Sequence, residues 1–372
     1  IPLFVLIHKL SKNTIVITTY DSSFKLKPFK FDFTILDEAH HLAYVEEGVS
    51  ETDRKYRAIL EVESSKLLSL TATMKISDIE KINFKGNNIE EIFGKVIDKK
   101  TLGWAIENGF VCDYDICNPI LDRNMIEKKL EELKIDATEE LLVSCLTMLE
   151  VLKNNQNTHV INYTNKMNNS RKCRNIIDIL LETPEYSMLK GFITNNEIIT
   201  DTSKKSQNDI LNNYRKSKYG IIHCCYKLGE GFDESLIDTV CISENMFSNI
   251  RIVQSLLRPH TKNKNHPNKK ALILLPMMAD LEKDLEQSDK YKKLSDIIKI
   301  ISVHDENVTE KVNILKCCKI NPKPSIDFIP VKSIFSESII LRMINRQLIG
   351  GNSYKNLKKI KSSDSLEKMI IR

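Results

Sequence analysis

Glycine is scarce in this sequence. It occurs 11 times in 372 residues, at positions 48, 86, 94, 103, 109, 191, 220, 229, 231, 350 and 351, and none of these lies in a G-x-x-x-x-G-K-[ST] loop. The sequence therefore holds no backbone nest of that kind for the β- and γ-phosphates of a nucleotide. Long apolar runs are missing too, none approaching the roughly 18 residues of a membrane-spanning helix. The seven-residue run IPLFVLI has no basic region before it, which argues against a secretory signal. None of the nine cysteines forms CxxC. Free buried thiols in a reducing, intracellular compartment are expected rather than a zinc site. Acidic residues vanish between Glu244 and Asp280, where Arg251, Arg258, Lys262, Lys264, Lys269 and Lys270 all fall. In a chain of net charge only +5 this is a local positive field, readable as a solvated basic loop or as an anion site.

What is present fits two domains with sizeable cores. Short β-branched runs at 15–19, 33–36 and 67–70, then at 159–163, 189–193, 220–225, 239–242 and 271–275, read as strands. Amphipathic stretches at 139–153, 170–181, 206–215 and 249–257 read as helices. Continuous apolar strands separated by helices predict an α/β protein with parallel sheets covered on both faces. Residues 277–316 read as helical and heavily charged, and the tail from Ser353 is rich in Lys and Ser.

Four stretches carry candidate chemistry. Asp37-Glu38-Ala39-His40 follows the apolar run Phe33–Leu36. Carboxylates beyond the carboxyl end of a parallel strand can hold Mg²⁺ through its waters and take a proton from an attacking water; alone, the quartet is equally a solvated turn. Leu67–Thr73, LLSLTAT, ends a second strand 34 residues later, room for a helical crossover. Thr71 and Thr73 could bond across to the acidic strand, or Thr73 could cap a helix. His223–Ile237, HCCYKLGEGFDESLI, runs from a strand into a turn around Gly231 and Asp233, either a ligand-approaching turn or an ordinary loop. Asn249–Thr261, NIRIVQSLLRPHT, sets Gln254 and Arg258 four residues apart. Such a pair is a surface contact or the placement of a guanidinium on a phosphoryl group.

In that order, with the linking passage TLGWAIENGFVCDY at 101–114, these stretches resemble the superfamily 2 DEAD/DEAH-box-like helicases, in the branch of the type III restriction subunits, with a flavour of helicases of large DNA viruses. The resemblance spans roughly residues 10–280. It implies two RecA-like parallel-sheet domains, the first one partial, with a helical C-terminal extension. The implied boundaries are 1–100, a linker at 101–118, a second domain at 119–280 and an extension at 281–372. It further implies ATP and Mg²⁺ as cofactors, nucleic acid as partner with DNA favoured over RNA, no membrane, and ATP hydrolysis where the two sheets meet. Carried over residue by residue, Asp37 serves Mg²⁺–ATP and Glu38 is the base. His40 signals to the Gln254–Arg258 helix, with Arg258 as an arginine finger. Thr71 and Thr73 couple the sites. Gly231 and Asp233 lie between nucleotide and strand, and Thr18, Thr19, Asn162 and Thr164 touch the strand's backbone.

Two departures stand out. Where the family reads Q-x-x-G-R-x-x-R, Leu257 replaces the glycine and Thr261 the second arginine. The phosphate loop, which in the family lies many tens of residues ahead of motif II, is not found in the 36 residues before Asp37. The expectation is a chain truncated at its N-terminus, and inactive by itself. The competing reading is a non-catalytic nucleic-acid-binding scaffold.

Overall fold

The computed structural model describes residues 14–45, 50–72, 74, 84–117, 120–154, 157–225, 227, 228, 232–244 and 249–279. The expected extension at 281–372 lies outside them. The chain divides into two compact units, 1–99 and 100–372.

Unit 1 is built from strand pairs. β1 (Lys30–Phe31) runs parallel to β4 (Glu63–Ser64), and β2 (Thr34–Leu36) runs parallel to β5 (Leu67–Ser69). β3 (Tyr44–Val45) and β6 (Phe84–Lys85) pair antiparallel. Side chains alternate along β2, so Ile35 is 54% exposed while Leu36 enters the core at 1%. Leu26, Ala39, Leu42, Ile59, Val62 and Phe93 complete that core. Helix α1 (Glu51–Tyr56) is capped by the Ser50 hydroxyl, which accepts from the Asp53 amide at 3.1 Å. Its acids Glu51 and Asp53 lie in the first turn and its bases Arg54 and Lys55 in the last, as the helix dipole favours. A short helix, α2 (Glu90–Phe93), seats Phe93 in the core. The strand expected at 15–19 is absent. Those residues pair with no described strand, and Ile15 and Ile17 stand 88% and 92% exposed.

Unit 2 begins with α3 (Leu102–Glu107), followed by β7 (Tyr114–Cys117), β8 (Ile120–Asp122) and α4 (Arg123–Glu132). Then come α5 (Glu139–Lys153), β9 (His159–Tyr163), α6 (Met167–Leu181), β10 (Ile193–Ile198), α7 (Lys204–Lys216) and β11 (Tyr219–Cys224). β12 (Thr239–Ile242), α8 (Asn249–Leu257), β13 (Ala271–Leu274) and β14 (Met277–Ala279) follow. Six strands form one sheet in the order β10-β11-β9-β12-β13-β7, every pairing parallel. β9, β11 and β12 are buried along their whole length, the condition under which parallel strands read as unbroken apolar runs. Two hydrophobic clusters sandwich them, one around Tyr163, Ile222 and Ile242, the other around Val160, Ile221 and α5. From Leu141 to Leu152 every residue of α5 is buried, so this helix is enclosed rather than half-exposed.

Three further expectations are corrected. The strand expected at 189–193 starts where it was thought to end. Ser187–Leu189 is a 3-10 turn and β10 runs Ile193–Ile198 at the sheet edge, where a polar sequence suffices. The passage 101–118, expected as a linker, carries α3 and β7. Tyr114 and Ile116 are fully buried, and β7 is the sheet's other edge. Met277–Ala279, expected as helix, is β14, which pairs with β8. Cys112, Cys145, Cys173, Cys224, Cys225 and Cys241 are free and buried as expected, whereas Cys117 is disulfide-bonded.

Candidate functional site

In unit 1 the acidic pair sits where β2 ends. Asp37 is exposed, and Glu38 takes a left-handed backbone, φ 50° and ψ 47°, its amide donating to Asp37 Oδ1 at 3.1 Å. A non-glycine residue in this region is strained by about 1–2 kcal/mol. Neighbouring bonds fix the turn. The Ala39 amide donates to Leu70 O at 2.9 Å, Asn87 Nδ2 donates to Ala39 O at 2.8 Å, and the Tyr20 hydroxyl donates to Asp37 O. Burial, with Tyr56, Asp37 and Glu38 nearby, pushes that hydroxyl's pKa upward, so it stays a donor.

His40 is 1% exposed, its Nδ1 lying 3.0 Å from Thr71 Oγ1 and 3.3 Å from Glu38 Oε2. The end of β5 is thus joined to the carboxylate turn through one imidazole, the cross-strand link expected of Thr71. Thr73 lies outside the described residues. Thr18 and Thr19 are exposed, and Thr19 precedes the 3-10 turn Tyr20–Leu26 rather than ending a strand.

Unit 2 gathers the other stretches. α8 ends at Leu257 and Arg258 opens a 3-10 turn, so Gln254 and Arg258 do not share one uninterrupted helix. Arg258 Nη1 donates to Phe232 O, while its Nε is buried without an acceptor among the described residues. Three residues on, the Thr261 hydroxyl donates to Asp233 Oδ1 at 2.7 Å. The turn after α8 therefore grips Phe232-Asp233 at two points. Lys269 Nζ adds donations to Thr261 O at 2.7 Å and Ser235 O at 2.9 Å, and its burial lowers its pKa. Tyr163, at the end of β9, donates to Leu228 O at 3.1 Å. Its burial raises its pKa, with Cys224 adding and the Arg258 guanidinium opposing. Gly231 lies outside the described residues. The Thr261–Asp233 bond escaped sequence reading because Thr261 was judged only as a missing arginine.

Asn162 and Thr164, expected at the strand's backbone, are both buried. Asn162 is fully buried, its Nδ2 3.0 Å from His223 Nδ1 and its Oδ1 accepting from Ser243 Oγ at 2.6 Å. Thr164 is 4% exposed and shares a 2.7 Å bond with Ser170 Oγ. A strand in unbroken contact with buried layers turns its side chains into them, whatever their polarity. A cavity of about 1130 Å³ opens instead at the N-terminal ends of the strands, lined by Thr158, His159, Arg215, Asp238, Lys269 and Lys270 among others.

Residues 3–76, the span holding Asp37–His40 and Thr71, match the family described as Type III restriction enzyme, res subunit. The structure is similar to that of the ATP-dependent Type ISP restriction-modification enzyme LlaBIII bound to DNA, with TM-score 0.63 at 15% identity over 94% of this chain and 25% of that one. It is also similar to a nuclease-deletion mutant of the Type ISP enzyme LlaGI in complex with a DNA substrate mimic, with TM-score 0.52 at 17% identity over 99% of this chain and 24% of that one. The chain shares the fold of the matching parts of these two enzymes. At such identities the likeness is one of fold, and the chain spans about a quarter of the length of these two enzymes. No curated protein matches it. No described helix is long and apolar enough to cross a membrane.

Proposed function

We propose that this chain is the part of an ATP-dependent nucleic-acid helicase or translocase that holds the acid pair and the arginine turn, with DNA as the favoured strand. The observation that carries the reading is the Asp37–Glu38 turn at the carboxyl end of a parallel strand, joined through His40 to Thr71. Asp37 would hold Mg²⁺ through water, and Glu38 would orient and deprotonate the water that attacks the γ-phosphate. Among the described residues no group of three or more His, Cys, Asp or Glu could hold a metal. A lone exposed carboxylate suits Mg²⁺, which keeps most of its waters and takes phosphate oxygens as ligands. His40 and Thr71 position Glu38. Arg258, whose buried Nε has no acceptor among the described residues, would meet charge on the phosphates, and Gln254 would assist it. Asp233, Thr18 and Thr19 remain candidates for contact with nucleotide or strand, being exposed. The two similar enzymes are described with DNA, and one as ATP-dependent, which favours this partner and cofactor.

The test is strand-stimulated ATP hydrolysis by the full protein. Glu38→Gln should lower turnover by about 100-fold or more, the usual weight of a general base, while strand binding persists. Unchanged turnover would sink the assignment of Glu38. A second reading, a strand-binding scaffold without turnover, draws on Thr261, whose hydroxyl holds Asp233 where the family places a second arginine. Strand binding by the full wild-type protein with no ATP hydrolysis would select it.

A further inference from the structure

Glu38 keeps a backbone conformation that residues with a side chain seldom adopt, φ 50°. The angle φ turns the planar peptide unit before a residue against the unit after it, so holding both units holds the angle. The unit after Glu38 is held by backbone alone. Its Ala39 amide donates to Leu70 O at 2.9 Å, and its Glu38 carbonyl accepts from the His41 amide at 3.0 Å. The unit before Glu38 is held differently. Its amide reaches Oδ1 of the exposed Asp37 side chain at 3.1 Å, and its carbonyl, Asp37 O, accepts from the Tyr20 hydroxyl. Tyr20 thus brings a side chain from 17 residues away to the peptide that precedes the carboxylate.

Tyr20 is itself firmly seated. It opens the 3-10 turn Tyr20–Leu26, and Ser23 Oγ donates to its carbonyl at 2.7 Å. Its ring packs against the unit 1 core and meets the Tyr56 ring edge-on, with centroids 5.4 Å apart. The hydroxyl is therefore presented at a fixed point, as a donor to a carbonyl that has no other way to be aimed by a side chain of its own. What it aims is the acid. Glu38 Oε2 lies 3.3 Å from Nδ1 of the buried His40, and that contact depends on the direction of the Glu38 Cα–Cβ bond. Released from one side, a strained non-glycine residue turns back to an ordinary negative φ and swings its side chain away.

We propose that Tyr20 is a positioning residue for Glu38: by holding the Asp37 carbonyl, its hydroxyl keeps the Glu38 carboxylate beside His40 and aimed for its work as the base. The proposal rests on the reading of Glu38 given above. One readout needs no turnover. Crystal structures of the full protein and of Tyr20→Phe, which keeps the ring and its packing on Tyr56, are compared at Glu38. A Glu38 φ that is left-handed in the wild type and leaves that region in the variant supports the role. A φ still near 50° in the variant, or an ordinary negative φ in the wild type, overturns it. The second readout is strand-stimulated ATP hydrolysis. Tyr20→Phe should lower kcat about tenfold and leave KM for ATP unaltered. In the Glu38→Gln protein the same change should cost nothing further, because the carboxylate it aims is gone. Turnover of Tyr20→Phe equal to wild type, or an equal loss with and without the Glu38 carboxylate, overturns Tyr20 alone and leaves Glu38 as the base. A wild-type protein without turnover, or Glu38→Gln with wild-type turnover, overturns the reading of Glu38 and this role with it.

Discussion

His223 shows how much one side chain in this sheet depends on residues far away in sequence. It is fully buried in β11, and both ring nitrogens are engaged, Nδ1 with Asn162 Nδ2 at 3.0 Å and Nε2 with Asn195 Oδ1 at 2.9 Å. Asn162 Nδ2 can only donate, so Nδ1 accepts and Nε2 carries the proton, which makes the ring neutral. Burial, with Arg174 contributing, lowers its pKa from 6.5 to about 3. The unfolded chain takes a proton near pH 6.5 that the folded chain refuses. Stability is therefore full above that pH and falls as pH drops toward 3. From pH 7 to pH 5 the loss from this group should be about 2 kcal/mol, read as a lower urea midpoint, and His223→Gln should flatten that part of the profile. None of this was legible from the sequence, where His223 is one residue of an apolar run and its partners are 28 and 61 positions away. Asp37, Glu38 and His40 were legible by type and spacing. The arrangement around Asp233 was not, since a hydroxyl in place of a guanidinium reveals its partner only once the chain is folded.

Among elements, the legible ones were those whose burial leaves one option. β9, β12, α5 and α8 occupy the ranges read from periodicity, because a strand or helix packed on every side must be apolar throughout or keep its period. The two sheet edges, β7 and β10, were missed or misplaced because an edge strand needs one apolar neighbour and tolerates Asn, Thr and Asp. β11 shows how tight the packing at the sheet's interior is. A Cβ added at Gly220 would lie 2.4 Å from the Tyr214 ring, itself fully buried between α7 and the sheet. Gly220→Ala should destabilise the protein by about 1–3 kcal/mol, measured by denaturant titration. An unchanged midpoint would mean that Tyr214 can move aside.

For the molecule as a whole, charge is nearly balanced, 55 Lys and Arg against 50 Asp and Glu. Attraction to a polyanion must then come from where the cations stand rather than from their number. If the basic segment from Arg251 to Lys270 meets the strand, the logarithm of single-strand affinity should fall with the logarithm of salt by about 0.7 for each phosphate contact, and Lys262→Ala should make the slope shallower by about 0.7. An unaltered slope in that variant would remove Lys262 from the interface. The chain of bonds through Asn195, His223, Asn162 and Ser243 has a consequence at this scale as well. It crosses β10, β11 and β9 and reaches the end of β12, and it closes in a single alignment of the four. Slipping any of the inner strands by one residue would turn its polar member into an apolar layer with no partner, at about 1–3 kcal/mol for each stranded group. The seam thus acts as a checksum on assembly: parallel strands that hydrophobicity alone would let pair in several ways can complete it in only one.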